Sequence, residues 1–390
     1  MKPRAILIDI IPPQMKQPEA KRRLYELECL VNTYGGMVII KIIQRRSVPD
    51  YKTYIGSGKL KEVVETAKRE KVDIVIINNL LKPKQMLAIG EIMRHVGADQ
   101  CVRPGRHMGL PLRIWDRIDL ILKIFQKHAT TAEAKLQIKL AAIRHMGPRI
   151  FGMGMEMSQQ AGGIGTRGIG ETNIEIMKRH LALQTSQIEK KLEDASRSRS
   201  EHRKRRDRLG MKTVSIVGYT NSGKSSLLNA LTHKGAYVAN KLFATLDTRV
   251  AKLWLAHDQQ ILLSDTIGFI QDLPPELISA FRSTLEETIE ADLLLQVIDA
   301  SDPYWHHQVQ EVENILEQLG LIKTPKIYVF NKIDLVPRNQ RTNVWAQHLD
   351  KSITTHYSLP TTNYKPPVCF VSCLTGEGLD KLKDALRASF

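Results

Sequence analysis

The sequence has few cysteines and no long apolar run. Its 390 residues include four cysteines, a number that fits a reducing compartment. No His or Cys cluster near Cys369 and Cys373 completes a zinc site, so buried thiols are favoured. No apolar segment approaches the ~20 residues of a membrane-spanning helix. The run AILIDII near the N-terminus is short and contains Asp9, which predicts a buried strand rather than a targeting signal. We therefore expect a cytoplasmic protein with no membrane partner.

Basic residues are concentrated in the first half of the chain. The formal net charge is +16. Residues 1–212 hold 41 Lys and Arg against 22 Asp and Glu, net +19, whereas the rest holds 16 against 19, net −3. This distribution indicates that the first half contacts a polyanion. A membrane surface is the weaker alternative, because no basic amphipathic segment with exposed aromatics stands out.

Residues 1–112 alternate apolar runs with amphipathic ones. The runs AILIDII, MVIIKII and VDIVIIN predict buried strands, and PEAKRRLYELECLVNTYG and GKLKEVVETAKREK predict helices, the first with a glycine cap. This order predicts a small parallel α/β domain. The stretch YIGSGKL (54–60) is either a tight turn into a helix or a contact to a phosphate or RNA backbone. A second nucleotide site near Gly56 stays open.

Residues 113–210 predict a long antiparallel helical hairpin. Apolar residues recur every three or four positions from Ile118 to Ile143, which is typical of a coiled-coil-like seam. A second series has apolar residues at Ile174, Met177, Leu181 and Ile188. The Gly- and Met-rich segment 151–172 is predicted to form the loop between the two helices.

A strongly basic segment ends the second helix. Eight of the residues from Arg197 to Lys212 are Lys or Arg and two are acidic. A solvated helix end explains part of this charge, but its size favours phosphate contacts. The candidate RNA-binding residues of this segment are Arg203, Lys204, Arg205 and Arg206.

The remaining residues, 211–390, open on TVSIVGYTNSGKSSLLNAL. A β run, the pattern Gly218-x4-Gly223-Lys224-Ser225 and a helix follow one another as in a P-loop. Backbone N–H groups can surround a β-phosphate there, Lys224 neutralises β and γ oxygens, and Ser225 binds Mg²⁺. The predicted phosphate-binding residues are Gly218, Tyr219, Thr220, Asn221, Ser222, Gly223, Lys224 and Ser225.

Two segments predict the response to a γ-phosphate. In DTIG (265–268), Asp265 can hold magnesium through water and the N–H of Gly268 can meet the γ-phosphate. In LFATLDT (242–248), Thr245 can complete the magnesium shell, with Thr248 as an alternative on spacing. The predicted catalytic residues are Lys224, Thr245 and Gly268, and the metal ligands are Ser225 and Thr245. The predicted nucleotide contacts are Phe243, Ala244, Thr245, Leu246, Asp247, Asp265, Thr266, Ile267 and Gly268.

Two later motifs predict guanine as the base. IYVFNKID ends in Asn331-Lys332-x-Asp334, where a carboxylate accepts two N–H groups that adenine does not offer, and the stem of Lys332 covers the base. CFVSCL (369–374) can supply a backbone N–H to guanine O6. The predicted contacts are Asn331, Lys332, Ile333, Asp334, Ser372, Cys373 and Leu374. Together the four elements predict a GTPase rather than an ATPase or a kinase.

A glutamine is missing after DTIG. In the best-known switch GTPases the next residue is a glutamine that orients the attacking water. Here it is Phe269, so we expect slow intrinsic hydrolysis, with a bound partner supplying the missing positioning.

These motifs resemble those of HflX-type ribosome-associated GTPases. GYTNSGKSSLLNAL, FATLD and DTIGFI carry the resemblance, and AKLQIKLA (134–141) followed by GGIGTRGIGET (162–172) is similar to the family's glycine-rich hallmark. The chain departs from that hallmark at Ile169 and Asn173, where the family usually has Pro and Gln. No further domain is expected after the last helix, GEGLDKLKDALRASF.

The resemblance implies a fold and a function. It implies a small α/β domain, a helical hairpin and a P-loop GTPase domain with a doubly wound, mostly parallel sheet. It also implies a factor that binds the large ribosomal subunit and its rRNA, and that splits or rescues stalled ribosomes. From the motifs we expect GTP as substrate and Mg²⁺ as cofactor, and we expect a monomer. The candidate rRNA contacts at the hairpin tip are Gly162, Gly163, Arg167 and Gly170.

Three alternatives remain from the residues. One alternative is that the hairpin tip is only a flexible connector. Another is that the protein is an RNA-binding assembly or remodelling factor whose affinity for RNA is controlled by GTP. A signalling GTPase with protein partners is disfavoured by the charge of the first half.

Overall fold

The computed structural model describes residues 2–98, 112–160, 167–208, 210–232, 242–243, 249–256, 259–271, 277, 285–337 and 366–390. The chain forms two compact units. Unit 1 comprises Met1–Lys127 and Lys135–Lys191, and unit 2 comprises His128–Ala134 and Leu192–Phe390. The division of the sequence into 1–112, 113–210 and 211–390 stays a prediction. In the structure, helices of the predicted hairpin contribute to both units.

Unit 1 contains a four-stranded parallel sheet in the order β2-β1-β3-β4. Its strands are β1 Arg4–Ile11, β2 Met37–Arg45, β3 Ile74–Ile77 and β4 Arg113–Asp116. Its helices are α1 Gln17–Tyr34, α2 Ser57–Arg69 and α3 Pro83–Ala98. The three predicted strands and two predicted helices are confirmed. Gly35 ends α1 with φ 98°, a left-handed conformation that glycine adopts without strain.

The GxGK stretch forms the turn into α2. The N–H of Gly56 donates to Oε1 of Gln44 at 3.1 Å, and α2 begins at the next residue. This contact supports the structural interpretation of the stretch. A phosphate contact there stays a prediction.

The hairpin differs from its prediction in two ways. Its helices are α4 Arg117–His128, α5 Ala132–Gln160 and α6 Arg167–Arg208. The predicted continuous seam is broken because the hydroxyl of Thr131 accepts the N–H of Ala134 at 3.2 Å, an N-cap that starts a new helix. The predicted loop over 151–172 is also wrong at 151–160 and 167–172, which are helical, since the Met, Glu and Gln residues of 151–160 favour helix and outweigh the glycines among them. Residues 161–166 of the predicted loop lie outside the described residues.

The second apolar series is only partly buried. Ile188 is buried and Leu181 is half-buried, but Met177 is 45% exposed. The side chain of Ile174 lies outside the described residues. The periodicity therefore predicted the helix correctly and overestimated how much of it is covered.

A buried charged cluster joins β4, α4 and α5. Arg149 donates to Oδ2 of Asp119 at 2.7 Å and also to Asp116. Nε2 of His145 lies 3.3 Å from an oxygen of each carboxylate. Asp116 and Asp119 also accept each other's backbone N–H groups. The carboxylates are therefore satisfied by side chains and backbone without a metal ion.

The cluster predicts a pH-dependent stability. Burial alone lowers the pKa of His145, but the hydrogen bonds with Asp116 and Asp119 outweigh it and raise the pKa to about 9. The protonated ring therefore stabilises the fold fully below about pH 6.5, its unfolded pKa, and loses this effect as pH rises through about 9. We expect the melting temperature to fall by about 5 °C between these limits, as measured by calorimetry. The melting temperature of His145→Gln should not show this fall with pH. If the pH profile of that variant equalled that of the wild type, the assignment to His145 would be contradicted.

Unit 2 contains a six-stranded sheet in the order β10-β9-β8-β5-β7-β6. Its strands are β5 Lys212–Gly218, β6 Arg249–Ala256, β7 Gln259–Asp265, β8 Leu293–Asp299, β9 Lys326–Asn331 and β10 Val368–Phe370. Its helices beyond α6 are α7 Lys224–Thr232, α8 Glu286–Ile289, α9 Trp305–Gln318 and α10 Leu379–Ala388. Only the β6–β7 pair is antiparallel among these strands.

Helices cover both faces of the unit 2 sheet. Leu227 of α7 and Leu382 of α10 pack in one apolar cluster with β5 and β8. Val312 of α9 packs in another cluster on the opposite side of β8. The sheet is therefore doubly wound and mostly parallel, and the predicted α/β fold is confirmed. In the described part of the chain, no helix is both long and apolar enough to span a bilayer.

Candidate nucleotide site

The loop after β5 forms a tight turn that only glycine permits at two positions. Gly218 has φ 150° and Gly223 has φ 96°. A Cβ atom on Gly218 would lie 2.3 Å from the carbonyl oxygen of Val297, and one on Gly223 would lie 2.2 Å from Nδ2 of Asn331. These separations are far below contact distance. The predicted glycines are therefore required both by conformation and by space.

The inside of this turn presents polar groups that other described residues do not use. The hydroxyl groups of Thr220 and Ser222 are buried and have no hydrogen-bond partner in the described part of the chain. The helix α7 begins directly after the turn, at Lys224, so its first N–H groups point into the same space. Buried donors are costly when they are unpaired. The turn is therefore suited to an anion with several oxygens.

Lys224 is a buried cation at this turn. Its Nζ donates to the carbonyl oxygen of Tyr219 at 2.8 Å. Burial lowers the pKa of Lys224 to about 8; the carboxylate of Asp265 opposes this shift and the charge of Lys332 adds to it. A bound polyphosphate would stabilise the ammonium and raise this pKa again.

Ser225 and Asp265 offer oxygen ligands. Oγ of Ser225 donates to Oδ2 of Asp265 at 2.6 Å. Hydroxyl and carboxylate oxygens are the ligands that Mg²⁺ prefers, so the donor set fits this ion. The other predicted metal ligand, Thr245, lies outside the described residues, as do Ala244, Leu246 and Asp247. Phe243, in the same predicted segment, is buried with φ 54°.

Gly268 lies directly against the P-loop. A Cβ atom there would lie 2.8 Å from Cγ2 of Thr220 and 3.0 Å from Nζ of Lys224. No larger residue fits between these two groups without displacing them. The neighbouring Thr266 is buried and donates its hydroxyl to the carbonyl of Ile216 at 2.7 Å.

Phe269 is part of the core rather than of the polar site. Its N–H donates to the carbonyl of Gly218 at 3.1 Å, and its carbonyl accepts the N–H of Thr220 at 2.7 Å. Its side chain is 1% exposed and packs in a cluster with Tyr219 and Leu285. An apolar, buried ring has no group with which to orient a water molecule.

Asn331 joins the P-loop to the ends of β9 and β10. Its Nδ2 donates to the carbonyl of Ser222 at 3.0 Å, and its Oδ1 accepts the N–H of Cys373 at 3.2 Å. Oγ of Ser372 donates to Oδ1 of Asp334 at 2.6 Å. Burial, with the charge of Asp334, raises the pKa of Cys373 to about 12, so this thiol is neutral. The site is therefore connected through side-chain amide and hydroxyl groups.

The four predicted motifs follow the carboxyl ends of four strands, which are β5, β7, β9 and β10. In an open parallel sheet this edge is where ligands bind. Lys332 follows β9 with φ 63°, Ile333 is buried and Leu374 is 86% exposed. The structure thus brings the P-loop, DTIG, NKID and SCL residues to one edge of the sheet.

The basic end of α6 includes side chains that bind the protein itself. Nη2 of Arg206 lies 3.0 Å from Oε1 of Glu287. Arg199 pairs with Glu286 at 3.0 Å and also with Glu133. None of these three partners could be found from local pattern, because each lies at least 66 residues away along the chain. The guanidinium of Arg206 binds the start of α8, and a phosphate contact for this residue stays a prediction.

The other candidate RNA contacts are distributed as follows. Lys204 is exposed, and the side chains of Arg203 and Arg205 lie outside the described residues. Gly162 and Gly163 also lie outside them. Arg167 and Gly170 belong to the first turn of α6 rather than to a loop.

Family models and relatives agree with this architecture. The models match a GTP-binding GTPase N-terminal region over residues 21–100, a GTP-binding GTPase middle region over 128–206 and a 50S ribosome-binding GTPase over 213–332. The GTPase HflX of Caldanaerobacter subterraneus subsp. tengcongensis is 41% identical over 353 residues, which cover 90% of this chain and 78% of that protein. The chain belongs to the HflX GTPase family. The resemblance seen in the motifs is thus confirmed.

A second HflX protein and a solved crystal structure are also similar to this chain. The GTPase HflX of Escherichia coli K12 is 35% identical over 98% of this chain and 82% of its own length. A crystal structure of SsGBP in complex with GDP superposes with a TM-score of 0.53, at 26% identity, covering 100% of this chain and 98% of that one. This HflX-family chain is a GTP-hydrolysing enzyme, and GTP is its substrate.

Proposed function

We propose that the turn of residues 218–225 and the ends of β7, β9 and β10 form the GTP site. The observation that carries this proposal is the unpartnered, buried pair of hydroxyl groups on Thr220 and Ser222 beside a buried lysine. Backbone N–H groups of the turn bind the β-phosphate, and Lys224 neutralises the β and γ oxygens. Asp334 accepts N1–H and the 2-amino group of guanine.

Magnesium belongs to the proposed site. Ser225 would hold the ion directly, Asp265 would hold it through water, and Thr245 is the proposed second direct ligand. When bound, the ion neutralises charge on the β and γ phosphate oxygens. The N–H of Gly268 meets the γ-phosphate, since this glycine touches both Thr220 and Lys224.

The proposed partner is the large ribosomal subunit. The P-loop region matches a model for 50S ribosome-binding GTPases, and residues 1–212 carry the excess positive charge expected for rRNA contact. Phe269 stands where other switch GTPases have a water-orienting glutamine, and its ring is buried in the core. The docked subunit supplies that positioning, so that GTP hydrolysis times the release of the factor after it splits or rescues a stalled ribosome.

GTP turnover with and without purified large subunits tests this proposal. We expect about 100-fold stimulation by large subunits, because water positioning contributes on that order. Stimulation should fall steeply between 50 and 200 mM salt, as phosphate contacts require. Small subunits are the matched control and should not stimulate. Rapid turnover without ribosomes, or equal stimulation by both subunits, would contradict it.

A second candidate function is RNA-dependent assembly or remodelling, with GTP controlling the affinity for RNA. The same basic first half favours it. Light scattering of intact ribosomes mixed with purified protein and GTP separates the two functions. Dissociation into subunits supports splitting, whereas binding without dissociation supports the second candidate.

A further inference from the structure

We propose that Asp299 is a positioning residue for guanine binding, which holds the ammonium of Lys332 so that the aliphatic stem of this lysine forms one wall of the base pocket. The inference rests on the proposed guanine site and deepens it. Nothing in the NKID motif itself points to Asp299, which lies 33 residues before Lys332.

The ion pair has well-defined geometry on both sides. Asp299 is the last residue of β8 and lies beside Asn331 of β9 in the strand register. Nζ of Lys332 donates to Oδ2 of Asp299 at 2.6 Å. Oδ1 of the same carboxylate accepts the N–H of Ser301 at 3.0 Å and its hydroxyl at 2.6 Å. Both carboxylate oxygens are therefore engaged, which fixes the position of the lysine head group.

The backbone of Lys332 adds a second, independent observation. Lys332 has φ 63° and ψ 32°, a left-handed conformation that few residues other than glycine adopt and that clusters at functional sites. The carbonyl of Asn331 accepts the N–H of Ala300 at 2.9 Å, so the backbone before Lys332 is tied to the end of β8. Backbone and side chain together hold Lys332 toward β8.

The ion pair is not needed to pair the strands. Six residue pairs already join β8 and β9, so the two strands pair without it. The charge of Lys332 is also felt at the P-loop, where it contributes to the lowered pKa of Lys224. The main effect of the ion pair is therefore expected on the stem of Lys332, which lines the proposed base pocket.

The first test compares substitutions at Asp299 with a matched carboxylate in the same loop. Asp299→Asn should weaken GDP binding about ten-fold, the effect expected for loss of one charged hydrogen bond. It should raise KM for GTP while leaving kcat nearly unchanged. Asp299→Glu should recover part of the affinity. The control is Asp302→Asn, because Asp302 accepts the N–H of Tyr304 at 2.8 Å and Nε2 of Gln308 at 2.7 Å, and it should bind GDP normally.

A double-mutant cycle decides whether Asp299 acts through Lys332. In a Lys332→Ala background, Asp299→Asn should have no further effect on GDP affinity, because its target is already absent. An equal loss in both backgrounds, or a loss as large in Asp302→Asn, would overturn the inference. A third variant, Asp334→Asn, tests the proposed guanine site independently of Asp299. If that variant keeps normal guanine preference, the proposed guanine site is wrong.

Discussion

Replacing Asp334 by asparagine is expected to weaken binding of GDP by about 100-fold and to create binding of xanthosine diphosphate. Guanine presents N1–H and a 2-amino group to the carboxylate, and each charged hydrogen bond contributes roughly ten-fold in affinity. Xanthine has a carbonyl oxygen in place of the 2-amino group. The amide of asparagine can accept N1–H and donate to that oxygen, so the preference should invert.

The local geometry should survive this substitution. Oγ of Ser372 donates to Oδ1 of Asp334 at 2.6 Å, and it can donate equally to an amide oxygen. Competition of GDP, inosine diphosphate and xanthosine diphosphate against a fluorescent nucleotide measures the inversion. Asp380→Asn is the control, because the side chain of Asp380 is fully exposed on α10. Undiminished GDP affinity in Asp334→Asn would place the base elsewhere.

Replacing Lys224 by methionine is expected to lower GTP hydrolysis by about 1,000-fold, both alone and with large ribosomal subunits. A cation beside the β and γ oxygens stabilises the charge that develops during phosphoryl transfer, and removing such a group costs on that order. Methionine is close to lysine in length, so the buried space near Tyr219 stays filled. Single-turnover hydrolysis measures the loss, and melting temperature checks the fold. The exposed Lys252 on β6 provides the control, Lys252→Met, which should hydrolyse GTP normally.

The same lysine predicts how nucleotide affinity depends on pH. The pKa of Lys224 is about 8 in the free protein because of burial, and a bound polyphosphate raises it. Binding above pH 8 is therefore accompanied by proton uptake, so GDP affinity should fall by up to about ten-fold per pH unit there. Lys224→Met should lack this slope. A wild-type affinity that stays constant between pH 7.5 and 9.5 would contradict a cationic role for Lys224 in binding.

Local sequence was sufficient to predict the glycine turn of the proposed nucleotide site. The spacing of Gly218, Gly223 and Lys224 predicts a turn because the positive φ angles of the two glycines are a local demand. The close approach of Val297 and Asn331 to these glycines is instead set by the tertiary structure. The continuous apolar runs predict buried parallel strands, and such strands place the residues that follow them at one edge of the sheet. These are short-range rules, which is why they held for the fold of unit 2.

The hairpin was harder to predict. Apolar periodicity indicated helix over residues 118–143 but could not show that Thr131 caps a second helix. Glycine content suggested a loop over 151–172, where the structure continues α5 to Gln160 and begins α6 at Arg167. Propensity is a weak guide in such segments, because neighbouring good helix formers compensate for glycine.

By itself, the sequence determined the glycine turn after β5 and the buried strands of the parallel sheets, since each depends on residues close together in the chain. Only the tertiary structure decided which charges meet. Arg206 pairs with Glu287, and Lys332 pairs with Asp299. Two carboxylates raise the pKa of His145. Such pairs join distant segments and follow no period. Their energies arise from burial and geometry, which exist only after the chain has folded.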